Sequence, residues 1–357
     1  MAIYRIFPEK DATVYSYYPT MNTGLDEIIE ASTTANINGS TSETSRILIK
    51  FYDEDIEDIF TNYIGVNQWS ASLKMFLADA SRMPTTYSLE CYPLTQDWEM
   101  GVGKYGDVPV NTSGVRWDNF TSSLSAYMTA SYLPANVGGG VWYTGSATLN
   151  PTATQSFSYQ SDLDVNLNVT NAIRLFRSSS ISNNGFIIKQ ETEFTTSSLF
   201  ELKYFSIDTH TIYPPCLELK WNDYSFNTGS LSIVSSESTV INLGNNKSHY
   251  NQNSIQTFRV NARDKFPVRS FTTSSVYMTN KYLPSESYWA LKDVNTNETV
   301  IDFDTTYTKL SVDSNGSYFK FYMSGIEPER WYKFIIKSVI NSNTIIFDND
   351  YIFKVNK

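Results

Sequence analysis

The sequence predicts an all-β protein built from antiparallel sandwiches, the first of jelly-roll type. Three observations predict it: short runs of alternating side chains recur along the chain, clusters of Pro, Gly, Asn and Asp separate them, and helical spacing is almost absent. In order, the runs are ATVYSYY (12–18), SRILIKFY (45–52), ASLKMFLAD (71–79), TYSLECYPL (86–94), GFIIKQE (185–191), LFELKYFSI (199–207) and CLELKWN (216–222). Each is rich in β-branched and aromatic residues, which suit a pleated surface with one buried face. In the second run Ile47 and Ile49 alternate with Leu48 and Lys50, which predicts an apolar inner face and a mixed outer one. Arg46 in that run is expected either to pair with a carboxylate such as Asp11 or to stand in solvent. The one helical segment is DEDIEDIF, where Ile56, Ile59 and Phe60 share a face behind acidic residues suited to a helix N-terminus. So many short strands with so little helix favour a sandwich or jelly roll over an α/β sheet.

A chain of 357 residues exceeds the size at which one hydrophobic core usually stops growing, so two domains are expected. Alternation weakens at about 98–159 into a loop-rich insertion, where Gly138, Gly139 and Gly140 precede Val141 and Trp142. After Trp221 a polar, turn-rich stretch follows, and strand patterning resumes near Ile255. The expected organisation is a domain over 1–222 that carries the insertion, a connector over 223–253, and a β domain over 254–357. Long loops in compact domains are usually functional or flexible, so the insertion is the first candidate contact surface; the alternative is that its aromatics cover an end of the sandwich.

Composition restricts function. Lys and Arg number 27 against 37 Asp and Glu, a net charge of −10, which argues against nucleic acid or anionic lipid as partner. Aromatic residues make up 15% of the chain, which excludes a mainly disordered protein. With only His210 and His249 available, a His-based triad, a three-His zinc site or a His proton shuttle is not expected. Cys91 and Cys216 show no metal or disulfide spacing and are expected to be buried free thiols. Arg5, Glu9 and Lys10 interrupt the first residues, so no secretory signal is expected, and no run of apolar residues is long enough for membrane insertion.

An ordered set of short motifs runs through the first 222 residues. It comprises Asp11 to Tyr15, then Pro19, Asn22 and Gly24, then Ser45 to Phe51, Ala71 to Leu77, Asp97-Trp98-Glu99, and Val115 to Trp117. Val169-Thr170, Asn184 to Lys189, Phe205-Ser206 and a closing strand with Pro215, Leu217 and Leu219 complete it. In this order they resemble the DNRLRE family, a jelly-roll domain of carbohydrate-binding modules, bacterial surface proteins and virion proteins. Further on, Ile326, Pro328 and Tyr332 resemble the tyrosine corner of fibronectin type III and immunoglobulin-like domains. That resemblance implies an immunoglobulin-like sandwich after the jelly roll and a structural role for Tyr332, whose hydroxyl would bond to an upstream backbone group.

The combination resembles structural proteins of tailed marine phages. It implies a non-enzymatic virion component, made and assembled in the host cytoplasm, at the tail, baseplate, neck or capsid surface. Its partners would be other virion proteins, met in several symmetric copies. The alternative is a carbohydrate-binding module that docks polysaccharide through Trp98, Trp117, Trp142 and Tyr143 in and beside the insertion. The same four residues are the candidate contacts for a protein partner. No catalytic residue, cofactor or metal site is expected: Asp97, Glu99, Asp107 and Asp118 read as solvated loop carboxylates, and the oxygen-rich loops 162–166 and 348–351 lack EF-hand spacing.

Overall fold

The computed structural model describes residues 2–35, 42–122, 138–145, 150–193, 199–267 and 280–357. Parts of the expected insertion (123–137 and 146–149) and of the expected second β domain (268–279) lie outside the described residues. The first twelve strands are β1 (Ala2–Ile6), β2 (Lys10–Tyr15), β3 (Ile28–Ala35), β4 (Ser42–Lys50), β5 (Trp69–Met75), β6 (Leu77–Ser81), β7 (Thr86–Pro93), β8 (Ala153–Ser158), β9 (Val165–Asn168), β10 (Phe186–Gln190), β11 (Phe200–Phe205) and β12 (Cys216–Trp221). Nine more follow: β13 (Thr239–Gly244), β14 (His249–Asn251), β15 (Ile255–Asp264), β16 (Ser287–Asp293), β17 (Thr299–Ile301), β18 (Ser311–Asp313), β19 (Gly316–Tyr322), β20 (Trp331–Ile340) and β21 (Asn343–Asn356). The helices are α1 (Asp53–Ile59), continued by a π-helical turn, and α2 (Thr170–Arg177).

The fold is an all-β sandwich. Its sheets are ordered β1-β12-β5-β9; β6-β11-β3-β4-β10-β7-β8, with β2 also paired to β4; β13-β15-β19-β18; and β14-β21-β20-β16-β17. Neighbours are mostly antiparallel, with β14 and β21 running parallel. The chain divides into two compact units. One holds Ile6–Gly65 and Ser70–Glu218, and the other holds Met1–Arg5, Val66–Trp69 and Leu219–Lys357.

In the first unit, the registers of β2, β4, β10 and β7 place Ala12 and Ile187 opposite Leu48, and Ile187 opposite Tyr92. The face that carries them, with Arg46 and Lys50, is the mixed outer one that alternation along β4 predicts, but it is covered. Leu48 is buried beneath Trp98, Val115, Trp117, Phe120 and Val141, all from the insertion. Alternation assigns side chains to two faces, but an inserted loop with enough apolar area buries the second face as well. Helix α1 follows its sequence pattern, with Ile56, Ile59 and Phe60 buried. Helix α2 is an addition to the expected elements. It buries Thr170, Ala172, Ile173 and Phe176, begins where the Asn168 side chain accepts the Thr170 N–H (3.1 Å), and ends with Arg174 and Arg177 at its negative pole.

The second unit uses aromatic rings as its core. Phe334 on β20 lies 4.8, 5.0, 5.2 and 4.9 Å from the ring centroids of Phe258, Phe319, Phe321 and Phe353, mostly tilted or edge-on. Such contacts place the positive ring edge over a negative face and add to the gain from burial. At the turn into β20 the Tyr332 hydroxyl donates to the Glu327 carbonyl at 2.8 Å, while Ile326 and Tyr332 are both 2% exposed. Burial, and then the nearby Glu327 carboxylate, push the phenol well above its ordinary range, so it stays a neutral donor. Arg330 in the same turn donates to the fully buried Asp293 at 3.0 Å, and the second Asp293 oxygen accepts the Asn295 and Thr296 amides.

Candidate functional site

The insertion is tied down by its aromatic and charged residues. Trp98 is 2% exposed and donates its indole N–H to the Asn184 carbonyl (3.1 Å), and Trp117 is 5% exposed. Neither offers a face to a sugar or a partner, contrary to the expectation for these two residues. Trp142 is half-buried against the same cluster and packs on Tyr92, and Tyr143 is half-buried with its amide bonded to the Pro93 carbonyl. The reason is Arg46. Its guanidinium sits 4.7 Å from the Trp117 ring and 5.1 Å from that of Trp142, so both rings face a buried cation.

Arg46 does not pair with Asp11. It forms a two-pronged bond with Glu193, Nε to Oε1 and Nη2 to Oε2, both at 2.8 Å, and Nη1 donates to the Gly138 and Gly139 carbonyls. The arginine is 1% exposed, so the solvated alternative fails as well. Register explains the choice: Val14 stands opposite Arg46, whereas Asp11 stands opposite Ile49, three positions away and on the other face. Close by, Lys189 meets Glu90 at 3.0 Å and Glu193 at 3.8 Å. At the far end of the same face Lys10 donates to the Asp97 carboxylate and the Trp98 carbonyl and lies over the Trp98 ring.

A second anchor is the Pro-x-x-Asn-x-Gly turn. Asn22 is fully buried; its amide donates to the Met100 and Val115 carbonyls (2.8 and 2.7 Å), and its oxygen accepts the Gly24 and Gly103 N–H groups (3.2 and 2.8 Å). Gly24 is required by close approach, since a Cβ there would lie 2.1 Å from the Met100 carbonyl oxygen.

The loop carboxylates have separate local tasks. Burial opposes the charged form of Asp97, but bonds from Lys10, the Trp98 amide and Lys50 outweigh it and hold the carboxyl below its usual range. Glu99 accepts the Ser122 amide and hydroxyl, and Asp107 accepts the Lys104 amide. Asp118 is raised by burial, against the pull of Arg116. In the oxygen-rich loops Asp164 accepts the Leu77 amide and Asp348 pairs with Lys333 at 2.8 Å. No group of three or more His, Cys, Asp or Glu side chains positioned for a metal occurs among the described residues. Cys91 and Cys216 are buried and form no disulfide, and no described helix is long and apolar enough to cross a membrane.

Asp11 is 1% exposed and is pushed up to about 7, chiefly by burial, against bonds from the Ile207 amide and Ser206 and with a further rise from Asp208. A folded-state value above the unfolded one means that folding takes up a proton between about pH 4 and 7, so this stabilisation is complete below pH 4 and is lost as pH rises through 7. Asp11→Asn keeps the acceptor for Ile207 and removes the titration. The variant is therefore expected to gain on the parent by up to about 4 kcal/mol between pH 4 and pH 8 in urea unfolding. Parallel pH profiles for the two proteins would refute this.

An open groove of about 720 Å³ lies within the first unit. Its floor comes from alternate residues of β3 (Glu30, Ser32 and Thr34), joined by Ser45 of β4 and by Glu201 and Lys203 of β11. Register aligns these side chains: Ser32 stands opposite both Ser45 and Glu201, and Glu30 opposite Lys203. The rim is tyrosine. Tyr17, Tyr18 and Tyr105 are 51, 41 and 56% exposed, with Tyr18 5.9 Å from Tyr105 and 4.5 Å from Tyr17. Tyr105 also meets Tyr15 at 5.4 Å, and its amide is held by both oxygens of Asp26 (3.0 and 3.1 Å). Burial raises Glu30 and Asp26 above the usual carboxylate range, in Glu30 against bonds from Ser32 and Ser45. These residues are outside the sequence candidates. A signal was present in YSYY: adjacent Tyr17 and Tyr18 break the alternation, so both cannot enter one face of a strand.

Fold and groove together define an all-β protein with a polar–aromatic recess on one unit. No protein-family model matches the chain, and no curated protein matches it, so the DNRLRE resemblance rests on the motifs themselves. Among solved structures the chain is similar to the Parabacteroides merdae β-glucuronidase at 10% identity and a TM-score of 0.16, over 82% of this chain and 28% of that one. The chain thus spans little more than a quarter of the enzyme's length, and a likeness of this size carries no argument about fold, activity or substrate.

Proposed function

We propose that this chain is a non-enzymatic structural protein of a tailed-phage virion, packed against other virion proteins in several symmetric copies at the tail, baseplate, neck or capsid surface. The observation that carries this reading is the anchoring of the described part of the insertion: Asn22, Arg46 and Lys10 donate to its carbonyls at Val115, at Gly138 and Gly139, and at Trp98, which makes these stretches a fixed outer surface. Stiff surfaces suit repeated packing because little freedom is lost on contact. The ordered DNRLRE-like motifs and the immunoglobulin-like corner support the same assignment, and assembly in the host cytoplasm follows from it. Mass spectrometry of purified particles is expected to find the chain at a fixed copy number. Its absence from mature particles would overturn the reading.

A second reading, binding of a glycan, is favoured by the tyrosine-rimmed groove. The contact would then involve Tyr17, Tyr18 and Tyr105 in place of the buried Trp98 and Trp117. The two readings are compatible, since a particle protein can also touch a host polysaccharide.

A further inference from the structure

We infer that the groove beside Tyr17, Tyr18 and Tyr105 takes an uncharged, hydroxyl-rich glycan, with the tyrosine rings against C–H faces of the sugar and Glu30 accepting from its hydroxyls. This deepens the second reading above and rests on it. Three features of the groove select the ligand. The first is the rim, where three exposed rings in edge contact present apolar faces beside phenolic groups. A pyranose needs both, because one side of its ring is C–H and its edge is hydroxyl.

The second feature is charge. Five lining carboxylates (Asp26, Glu27, Glu30, Glu43, Glu201) oppose three cations (Arg82, Lys104, Lys203), so the lining carries 3 − 5 = −2. An anionic ligand would add like charge beside carboxyls that burial already disfavours in their charged form. Uronates, sulfated glycans and phosphates are therefore selected against. A simple cation is a poorer match than a sugar, because Lys203 already lies 2.6 Å from Glu201 and Lys104 lies 3.9 Å from Glu27.

The third feature is the floor. Thr34 brings a hydroxyl that donates or accepts as required, which matches ligand hydroxyls that do the same, while the buried Ser32 and Ser45 hold Glu30 in place. Ser32 and Ser45 lie 2.8 Å apart, and both reach Glu30. The aromatic rim is also held in place from the backbone, since the Asp26 carboxylate fixes the Tyr105 amide. Less freedom is then lost on binding than with rings on a loose loop.

Affinity electrophoresis of the full chain through gels containing dextran, galactomannan, mixed-linkage β-glucan, polygalacturonate or dextran sulfate tests the inference. At least one neutral polymer is expected to retard the protein. Tyr18→Ala and Tyr105→Ala are each expected to weaken that retardation about tenfold. Tyr18→Trp should preserve it, and Tyr52→Ala, an exposed tyrosine outside the groove lining, should leave it unchanged. Circular dichroism of each variant shows that the fold is intact. Retardation by neutral polymers that survives both alanine variants overturns the inference. Retardation only by polygalacturonate or dextran sulfate, lost in those variants, overturns the neutral class and leaves glycan binding standing. No retardation by any of the five polymers overturns both.

Discussion

Asn22→Ala is expected to destabilise the first unit by about 4 kcal/mol, read as a shift in the urea unfolding midpoint at unchanged slope. The side chain satisfies four backbone groups at once: the carbonyls of Met100 and Val115 and the amides of Gly24 and Gly103. Each buried group left without a partner costs about 1–3 kcal/mol, and water entering the vacated space recovers part of the sum. Asn22→Asp is expected to be as harmful, since it replaces two donors by an acceptor facing two carbonyls. Gly24→Ala tests the same junction by steric means, because its Cβ would lie 2.1 Å from the Met100 oxygen and 2.9 Å from that of Gly101. Neither neighbour is a flexible side-chain end, so backbone must move. A loss below about 1 kcal/mol in both Asn22→Ala and Gly24→Ala would show that this junction does not hold the insertion.

Arg46 and Glu193 are expected to behave as a unit. Glu193→Gln or Arg46→Met alone leaves a buried charge facing an incomplete partner, for which the expected cost is about 3–5 kcal/mol. Replacing both, Arg46→Met with Glu193→Leu, is expected to return a large part of that loss, because the charge and the need to balance it disappear together. Recovery is incomplete for two reasons: the Gly138 and Gly139 carbonyls lose a donor, and Lys189 loses a carboxylate 3.8 Å away. Arg46→Lys is not a conservative change, since an ammonium cannot supply two parallel bonds to Glu193 while also reaching both the Trp117 and Trp142 rings. A double-mutant cycle in urea isolates the coupling. Additive single and double effects, or a Glu193→Gln loss within about 0.5 kcal/mol, would sink this account.

Some of this architecture was legible in the chain. Period-two alternation in SRILIKFY and TYSLECYPL anticipates β4 and β7, and the Ile56, Ile59 and Phe60 spacing anticipates α1. Helix α2 carries the same kind of signal, since Ala172, Ile173 and Phe176 share one face at helical spacing in a segment no shorter than α1. The partner of Arg46 was not legible. Glu193 lies 147 residues away, and nothing near Arg46 in the chain indicates which carboxylate will reach it.

The candidate site shows the same division. Tryptophans in a loop-rich insertion look like a contact surface, but Trp98 and Trp117 turn inward because Lys10 and Arg46 on the sheet offer them buried cations. The groove rim is built instead from tyrosines, Tyr17 and Tyr18 of the turn after β2 and Tyr105 of the insertion itself, brought together where Asp26 fastens Tyr105.

By itself the sequence determined the all-β class, the sparse helix and the burial of both cysteines, because these follow from local periodicity, turn chemistry and residue type. The tertiary structure decided which sheet face is covered, which charges pair and which rings remain open to a ligand. Alternation specifies that a strand has two faces. Whether the second face meets water depends on where a distant segment comes to rest, and no local pattern encodes that.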